Sequence, residues 1–408
     1  MQYVYILIAV CLFASCERRE DKRVYEPFLP TEKSITLSQA KKDVFQFARL
    51  IENKYGSYEF AQKHGFDVKK AKIDALAMCE KAYSERKEID TSVFAHILSD
   101  CFFAINDNHF SLYLNTEPFS DTLYLCKQTF AYFSNIYVKK IDGMYKVVYS
   151  GNAKVEKGDT YTDSPLYLFS YPSVGENVYR VCCISDNSKL NEKAFWFNGK
   201  PKKCFVSRSI KNKSSSDEIE IREIAGETFS YISCSSFYFC DYDKGEPSEE
   251  ESLVIKQFNN AIKNAFAKDT VIFDLRRNTG GYVSIAIDAL NEVIDDFSGT
   301  LYILIGKDTA SAAEIVPYKL KNYPYIRAFT VGEKTRGAIT TGAPTPFCLK
   351  YSRIIATIPL EHIEIPRGTF IEGLGIMPDY WAFQGDVVAT LYALTGNEEV
   401  KILLSRIE

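Results

Sequence analysis

Two stretches decide the fold: VIFDLRRNTGG at residues 271–281 and LYILIGKDTASAAE at residues 301–314. Each begins as an apolar run of the length of a buried strand, passes through a turn and continues in a helical pattern. Strands that alternate with helices in this way are typical of α/β domains with a largely parallel sheet. The sequence therefore predicts an α/β domain over residues 210–408.

Outward from these stretches, the chain divides into further parts. Apolar residues recur at three- and four-residue spacing in residues 41–109, which predicts a small helical domain. Alternating β-branched and aromatic residues in 110–209 predict a β-rich domain, so that the whole chain is multidomain α+β. The KGD turn at 157–159 resembles a turn of PDZ domains, and both a PDZ-like domain and a generic β insertion are compatible with it.

The first forty residues carry export signals. An apolar run too short to span a bilayer ends in FASC at 13–16, and a charged segment follows. Small residues before a cysteine resemble a bacterial lipobox, although Phe13 replaces the usual leucine and no Lys or Arg precedes the run. We therefore predict a signal peptide over 1–16, lipidation of Cys16, a tether over 17–40, and an exported protein held at the cell envelope by its lipid. An ordinary signal peptide is the alternative.

Charge and cysteine content exclude several classes of protein. The net charge of −4 provides no basic field for phosphates, so nucleic acid is not an expected partner. Of the 11 cysteines, those that follow Cys16 are odd in number and irregularly spaced, with no CxxC pair. This argues against a disulfide framework and against a zinc site, and it favours buried free thiols.

The turns after the two strands bring candidate chemistry. Gly280 and Gly281 allow backbone N–H groups to approach a substrate closely. Ser311 stands where a helix begins, which suits an ordinary N-cap and also suits a nucleophile, with the N–H of Ala312 as an oxyanion donor. A third segment, EGLGIMPD at 372–379, places Glu372 in a glycine-rich turn.

Together, the segments DLRRNTGG, TASAAE and EGLGIMPD resemble the tail-specific and tricorn-core serine peptidases. The resemblance implies a layered, crotonase-like catalytic domain with Ser311 as nucleophile, and peptide hydrolysis through an acyl-enzyme. It implies neither a metal nor an organic cofactor, and the expected partner is a peptide or protein substrate. Gly280 and Gly281 both remain candidates for the second oxyanion donor.

The family uses two kinds of base. Tail-specific members carry a lysine at the position that Ala338 occupies here, which leaves Lys334 as a displaced alternative. Tricorn-core members use a histidine in an Asp-x-His setting, which only His109 matches among the four histidines. The implied relay is Ser311–His109–Glu372, with Asn108 in place of the serine that tricorn carries beside its histidine. A catalytically idle relative that binds peptides or lipids is the rival interpretation.

Overall fold

The computed structural model describes residues 30–105, 107–115, 120–124, 130–185, 189–208, 219–240, 245–363 and 372–405. The predicted signal peptide and Cys16 lie outside these residues. The predicted tether over 17–40 extends too far, because Ser34–Ile35 already pairs with Ile89–Asp90 and the first helix begins at Leu37. No helix among the described residues is long and apolar enough to cross a membrane.

Helices dominate the N-terminal part of the chain. Its elements are β1 (Ser34–Ile35), α1 (Leu37–Lys54), α2 (Tyr58–Lys63), α3 (Val68–Arg86), β2 (Ile89–Asp90), α4 (Thr91–Phe102), β3 (Ser111–Asn115) and β4 (Ser120–Tyr124). Helix α1 starts in a capping box, in which Thr36 and Gln39 each accept a backbone N–H of the other. Its apolar face, spaced by three and four residues, is buried: Ala40, Val44, Phe47, Ala48 and Ile51.

The helical part shares its core with strands from elsewhere in the chain. Strands β3 and β4 join β17 (Thr341–Cys348) and β18 (Ile355–His362) in a sheet of order β17-β18-β3-β4. Leu112 and Ile358 lie in the same buried cluster as Phe47 of α1. The predicted domain boundary at 110 is therefore wrong: amphipathic helices need an apolar surface to cover, and this sheet provides it.

The next part is a β-barrel. Its strands are β5 (Phe130–Ile141), β6 (Met144–Ser150), β7 (Thr160–Tyr161), β8 (Leu168–Ser170), β9 (Val178–Ser185), β10 (Glu192–Phe197) and β11 (Lys200–Arg208). Because β11 pairs with β5 as well as with β10, the strands β5-β6-β7-β10-β11 close on themselves, and β9 and β8 extend from β5. No α-helix occurs in the described residues of 130–208. A PDZ domain packs helices on its strands, so this architecture favours the generic β insertion.

The barrel is fastened to the C-terminal part by aromatic side chains. The Phe169 and Trp381 rings stack with centroids 4.1 Å apart, and the Tyr171 hydroxyl donates to Asp386 at 2.5 Å. Arg180 lies over four rings of this cluster and also donates to the Tyr171 oxygen. Cation–π contacts and charge-assisted hydrogen bonds thus hold the barrel against the sheet domain.

The C-terminal part is the predicted layered α/β domain, and this prediction is confirmed. Its elements are β12 (Ile221–Ala225), β13 (Phe229–Cys234), α5 (Glu249–Ala265), β14 (Thr270–Asp274), α6 (Val283–Asn291), β15 (Thr300–Ile305), α7 (Ala312–Lys321), β16 (Arg327–Gly332), β19 (Tyr380–Trp381), α8 (Val387–Thr395) and α9 (Glu398–Leu404). The sheet order is β12-β13-β14-β15-β16-β19, parallel except for β12. Helices α5, α6 and α7 cover one face, and α8 and α9 cover the other.

Candidate active site

The two deciding stretches meet at one edge of the parallel sheet. Strands β14 and β15 are neighbours, so the turns that follow them lie side by side at their carboxyl ends. The buried Asn278 fastens these turns together: its amide donates to the Cys234 carbonyl at 3.1 Å, and its own carbonyl accepts the N–H of Ala310 at 3.1 Å. The sequence places Ser311 and the glycine pair on separate segments, and this asparagine makes them one structure.

Ser311 has a strained backbone. It is the N-cap of α7 with φ 56° and ψ −124°, a backbone conformation that residues other than glycine rarely adopt. The strain is held by hydrogen bonds on both sides, from Ser311 N–H to the Glu314 carboxylate at 3.1 Å and from Glu314 N–H to the Ser311 carbonyl at 2.8 Å. A strained serine on a strand-to-helix turn is the arrangement that exposes a nucleophile.

The glycine pair lies directly against Ser311. A Cβ on Gly280, whose φ is 108°, would come within 2.8 Å of Ser311 Cβ, and a Cβ on Gly281 would come within 2.2 Å of the Tyr238 backbone nitrogen. The Gly280 N–H donates to Asn278 Oδ1 at 2.9 Å. Within the described part of the chain, no hydrogen bond engages the N–H of Gly281 or of Ala312. These two donors are therefore the ones left open beside Ser311.

Glu314 connects the serine to the loop between β16 and β17, residues 333–340. It is fully buried and accepts from Thr335 Oγ1, from Gly337 N–H at 2.8 Å and from Ala338 N–H at 2.8 Å. Burial raises the pKa of this carboxyl, and the hydrogen bonds from the loop oppose the shift. A glutamate three residues after an N-cap commonly pairs only within its own helix. The structure instead makes it the link between Ser311 and the 333–340 loop.

His109 lies in a turn that is hydrogen-bonded to the same loop through Asn108. In this turn Phe110 N–H donates to the Asp107 carbonyl at 3.2 Å, and the Phe110 ring is buried against Phe47 and Tyr55. Asn108, the predicted auxiliary residue, donates its amide to the Arg336 and Gly337 carbonyls at 3.1 and 2.9 Å. It positions the turn on the loop, and it makes no hydrogen bond to the imidazole.

Glu372 is buried in this site, but its hydrogen bonds are not those of the predicted relay. One oxygen accepts from Ile339 N–H and Thr340 N–H, both at 2.9 Å, and from Thr340 Oγ1 at 2.8 Å. The other accepts the N–H of Asn108 at 3.2 Å. Burial and the nearby Asp107 carboxyl raise its pKa. Glu372 thus holds the loop beside His109 instead of accepting a hydrogen bond from the ring.

The imidazole has a different partner, which sequence reasoning missed. His109 Nδ1 lies 2.9 Å from Thr341 Oγ1, and Thr341 Oγ1 donates to Asp107 Oδ1 at 3.1 Å. Asp107 also accepts the His109 N–H at 2.8 Å and the Tyr55 hydroxyl at 2.8 Å. Burial lowers the pKa of His109; the Glu372 carboxylate opposes this shift and Arg336 adds to it.

Ser311 is linked to the 333–340 loop through Glu314, and His109 through its neighbour Asn108. No hydrogen bond joins Ser311 Oγ to the ring in the region that the structure describes. Catalytic hydrogen bonds often tighten only when substrate binds. The alternative base, Lys334, is buried and donates to the Leu374 carbonyl at 2.9 Å. Ala338, at the position of the family lysine, is buried too.

The acidic cluster does not suit a cation. Asp107, His109 and Glu372 offer ligand atoms within 4.8 Å of one another. However, the oxygens of both carboxyls already accept N–H or O–H donors, and a cation would have to displace them. Because those donor hydrogens point at the same oxygens that a metal would need, the residues present do not fit a metal site.

No curated protein matches the chain in sequence. Among solved structures, it is similar to mature CPAF complexed with lactacystin (13% identity, 91% of this chain, 99% of that chain, TM-score 0.45). It is also similar to the photosystem II D1 C-terminal processing protease (12%, 84%, 92%, 0.37) and to the tricorn protease (13%, 91%, 37%, 0.38). At these TM-scores, the similarities add nothing to the geometry. Residues 294–382, which contain Ser311, Thr341 and Glu372, match the model of Peptidase family S41.

Proposed function

We propose that this chain is a serine-type peptidase that cleaves peptide bonds through an acyl-enzyme formed on Ser311. The observation that carries the proposal is the strained backbone of Ser311 at the start of α7, pressed against Gly280 and flanked by open N–H groups. A serine that served only as a helix cap would adopt an ordinary extended backbone at no such cost. The match of residues 294–382 to Peptidase family S41 supports a peptide as the substrate.

In the proposed reaction, His109 is the general base. Its largely buried ring has a lowered pKa and is therefore neutral at neutral pH, as a base must be. It would take the Ser311 hydroxyl proton as the oxygen attacks the peptide carbonyl carbon, and it would then give that proton to the leaving amine. A water molecule would release the acyl group by the same route in reverse.

The negative charge that develops on the carbonyl oxygen needs donors beside Ser311. The N–H groups of Ala312 and Gly281 fit this role, because Gly280 N–H is already donated to Asn278. The start of α7 adds the positive end of the helix dipole. Of the two glycines that the sequence left as alternatives, we therefore assign the donor to Gly281 and the close packing against Ser311 to Gly280.

The test is covalent labelling. A serine-directed fluorophosphonate should label the chain from residue 30 onward, and peptide mapping should place the adduct on Ser311. Ser311→Ala should abolish the labelling, with thermal unfolding as the check that the variant is folded. An adduct on another residue, or no adduct on a folded wild type, would contradict the proposal and would favour the idle peptide- or lipid-binding protein.

We further propose that the protein is exported and held at the bacterial envelope by lipid on Cys16. The support is the short apolar run that ends in FASC and the charged segment after it. Mass spectrometry of the native N-terminus should find acyl chains on Cys16, and more than one chain, because a single chain binds membranes only marginally. An unmodified N-terminus at another residue would leave the ordinary signal peptide.

A further inference from the structure

We propose that Thr341 and Asp107 are positioning residues, which hold His109 with its proton on Nδ1 so that Nε2 is free to act as the base. This inference rests on the proposed function and adds to it the device that orients the base. The sequence resemblance points to Glu372 for this task. The contacts of the described residues assign it to a threonine and an aspartate.

The single hydroxyl hydrogen of Thr341 determines which atom donates in its contact with His109. The Thr341 hydroxyl has one hydrogen, and it is donated to Asp107 Oδ1 at 3.1 Å. At 2.9 Å from His109 Nδ1, the same oxygen can therefore only accept, so the proton of this contact belongs to the imidazole. A neutral imidazole that carries its proton on Nδ1 has a bare Nε2.

The hydrogen bonds to Asp107 bear on whether its carboxyl is ionised. Its carboxyl is buried and accepts three hydrogen bonds, from Tyr55, Thr341 and the His109 backbone. Burial raises the pKa of this carboxyl, and the three donors aimed at it oppose that shift and favour its ionised form. Tyr55 remains a donor, because burial and the neighbouring Asp107 raise its pKa further above the ordinary range. Donation in the chain Tyr55–Asp107–Thr341–His109 therefore converges on Asp107: Tyr55 donates to it from one end, and His109 donates to Thr341, which donates to Asp107, from the other.

The hydrogen-bonded residues Asp107 and Thr341 stabilise the protonated ring of His109 during the reaction. When Nε2 takes the Ser311 proton, the ring becomes an imidazolium with N–H groups at both nitrogens. Its Nδ1–H remains on Thr341, and the Asp107 charge, with Oδ1 3.9 Å from Nδ1, stabilises the cation. Neither Thr341 nor Asp107 gains or loses a proton. Glu372 faces the ring as well, whereas Arg336 opposes the cation.

The experiment compares Thr341→Val, which removes the hydroxyl, with Thr341→Ser, which keeps it. Thr390→Val is the matched control, since Thr390 Oγ1 is buried in α8 without a hydrogen-bond partner among the described residues. The rate of fluorophosphonate labelling at Ser311 is measured against pH. We expect Thr341→Val to lower the labelling rate on the order of ten- to a hundredfold, which is part of the contribution of a positioned base. Thr341→Ser and Thr390→Val should label at rates within a few-fold of wild type.

A second readout needs no catalysis and is made on the wild type, with one variant used only to assign the signal. Imidazole ¹⁵N shifts of the wild type, assigned with His109→Gln, should show His109 protonated at Nδ1 and bare at Nε2. An Nε2-protonated ring would overturn the inference, as would a Thr341→Val variant with the labelling rates and pH profile of Thr341→Ser. If Ser311 is not labelled in the wild type, the proposed function fails, while the spectrum still decides whether the relay is present.

Discussion

The two sides of the candidate site are assembled in different ways. The serine side consists of Gly280, Gly281, Ser311, Ala312 and Glu314, from two adjacent strand–turn–helix units. The histidine side draws on four separated segments: the end of α1 at Tyr55, the turn at Asp107 and His109, the start of β17 at Thr341, and Glu372. Both sides hold the 333–340 loop, each through a buried carboxylate: Glu314 on the serine side and Glu372 on the histidine side.

This difference shows what each side requires of the fold. The serine side depends on local geometry, because a positive φ and a missing Cβ place Ser311 against Gly280. The histidine side depends on the packing of the helical part, its sheet and the loop on one another. A substitution on the serine side should therefore change reactivity at an intact site, whereas one on the histidine side should change both the base and the local stability.

The largest effect should come from removing the base. We expect His109→Ala to lower the rate of Ser311 labelling by about 10²–10⁴, the contribution of a positioned general base. Lys334→Met should lower the labelling rate only slightly, because the Lys334 ammonium already donates a hydrogen bond to the Leu374 carbonyl. His96→Ala, an exposed histidine of α4, is the control. A larger loss in Lys334→Met than in His109→Ala would assign the base to the lysine.

Gly280→Ala should disrupt the serine side alone. The added Cβ would lie 2.8 Å from Ser311 Cβ and 2.9 Å from the Ala310 carbonyl, at a φ of 108°. Because a misplacement of about 1 Å can cost on the order of a hundredfold, labelling should slow by roughly that factor. Gly385→Ala, where a Cβ would meet nothing within 4 Å, should label like the wild type. Equal rates for the two variants would show that this contact does not position Ser311.

The same difference explains which parts of the site could be predicted from sequence. The serine side can be predicted from sequence, since an apolar strand, a Gly-Gly turn and a serine before a helix lie in short contiguous segments and together indicate a nucleophile beside open backbone N–H groups. The layered sheet follows from the same alternation. His109 and Glu372 could be named only through the family resemblance, and the hydrogen bond expected between them is not made, because Glu372 is committed to Ile339 and Thr340.

Thr341 and Tyr55 carry no local signal at all. They meet Asp107 across 234 and 52 residues of chain, and a threonine at the start of a strand or a tyrosine after a helix is compatible with many environments. The misplaced boundary at residue 110 has the same origin. Whether β3 pairs with the barrel or with β18 depends on which sheet covers the helices. The alternation of apolar and polar residues along β3 identifies a strand but does not identify its partner.

Tyr55→Phe should test the cost of the histidine side in stability. It removes one donor to a buried carboxylate, for which we expect a loss of about 1.5–3 kcal/mol in the free energy of unfolding. The lost donor favours the ionised carboxyl, so its removal raises the Asp107 pKa beyond the raised value that burial already gives. The penalty should therefore grow as pH rises and Asp107 ionises, and it should vanish at low pH.

Urea unfolding of Tyr55→Phe at several pH values measures this penalty. Tyr58→Phe is the control, because the Tyr58 hydroxyl makes no hydrogen bond to any residue that the structure describes. A penalty that is independent of pH would mean that Tyr55 contributes packing and not a hydrogen bond to an ionised Asp107.

The smallest effect should be electrostatic. A general base works only when deprotonated, and burial lowers the His109 pKa, so labelling should fall on acidification with a midpoint below the ordinary histidine value of about 6.5. The nearby Glu372 carboxylate raises this pKa, and Arg336 lowers it. Arg336→Gln removes one of the lowering influences, so its midpoint should move to higher pH, by less as salt increases, because Arg336 is exposed. Arg353→Gln, at a surface pair with Glu32, should leave the midpoint in place.

A midpoint at or above the ordinary value would show that burial does not control the pKa of the base. A midpoint that ignores Arg336→Gln would place the titrating group away from the 333–340 loop, and the histidine side would then not be the source of the base.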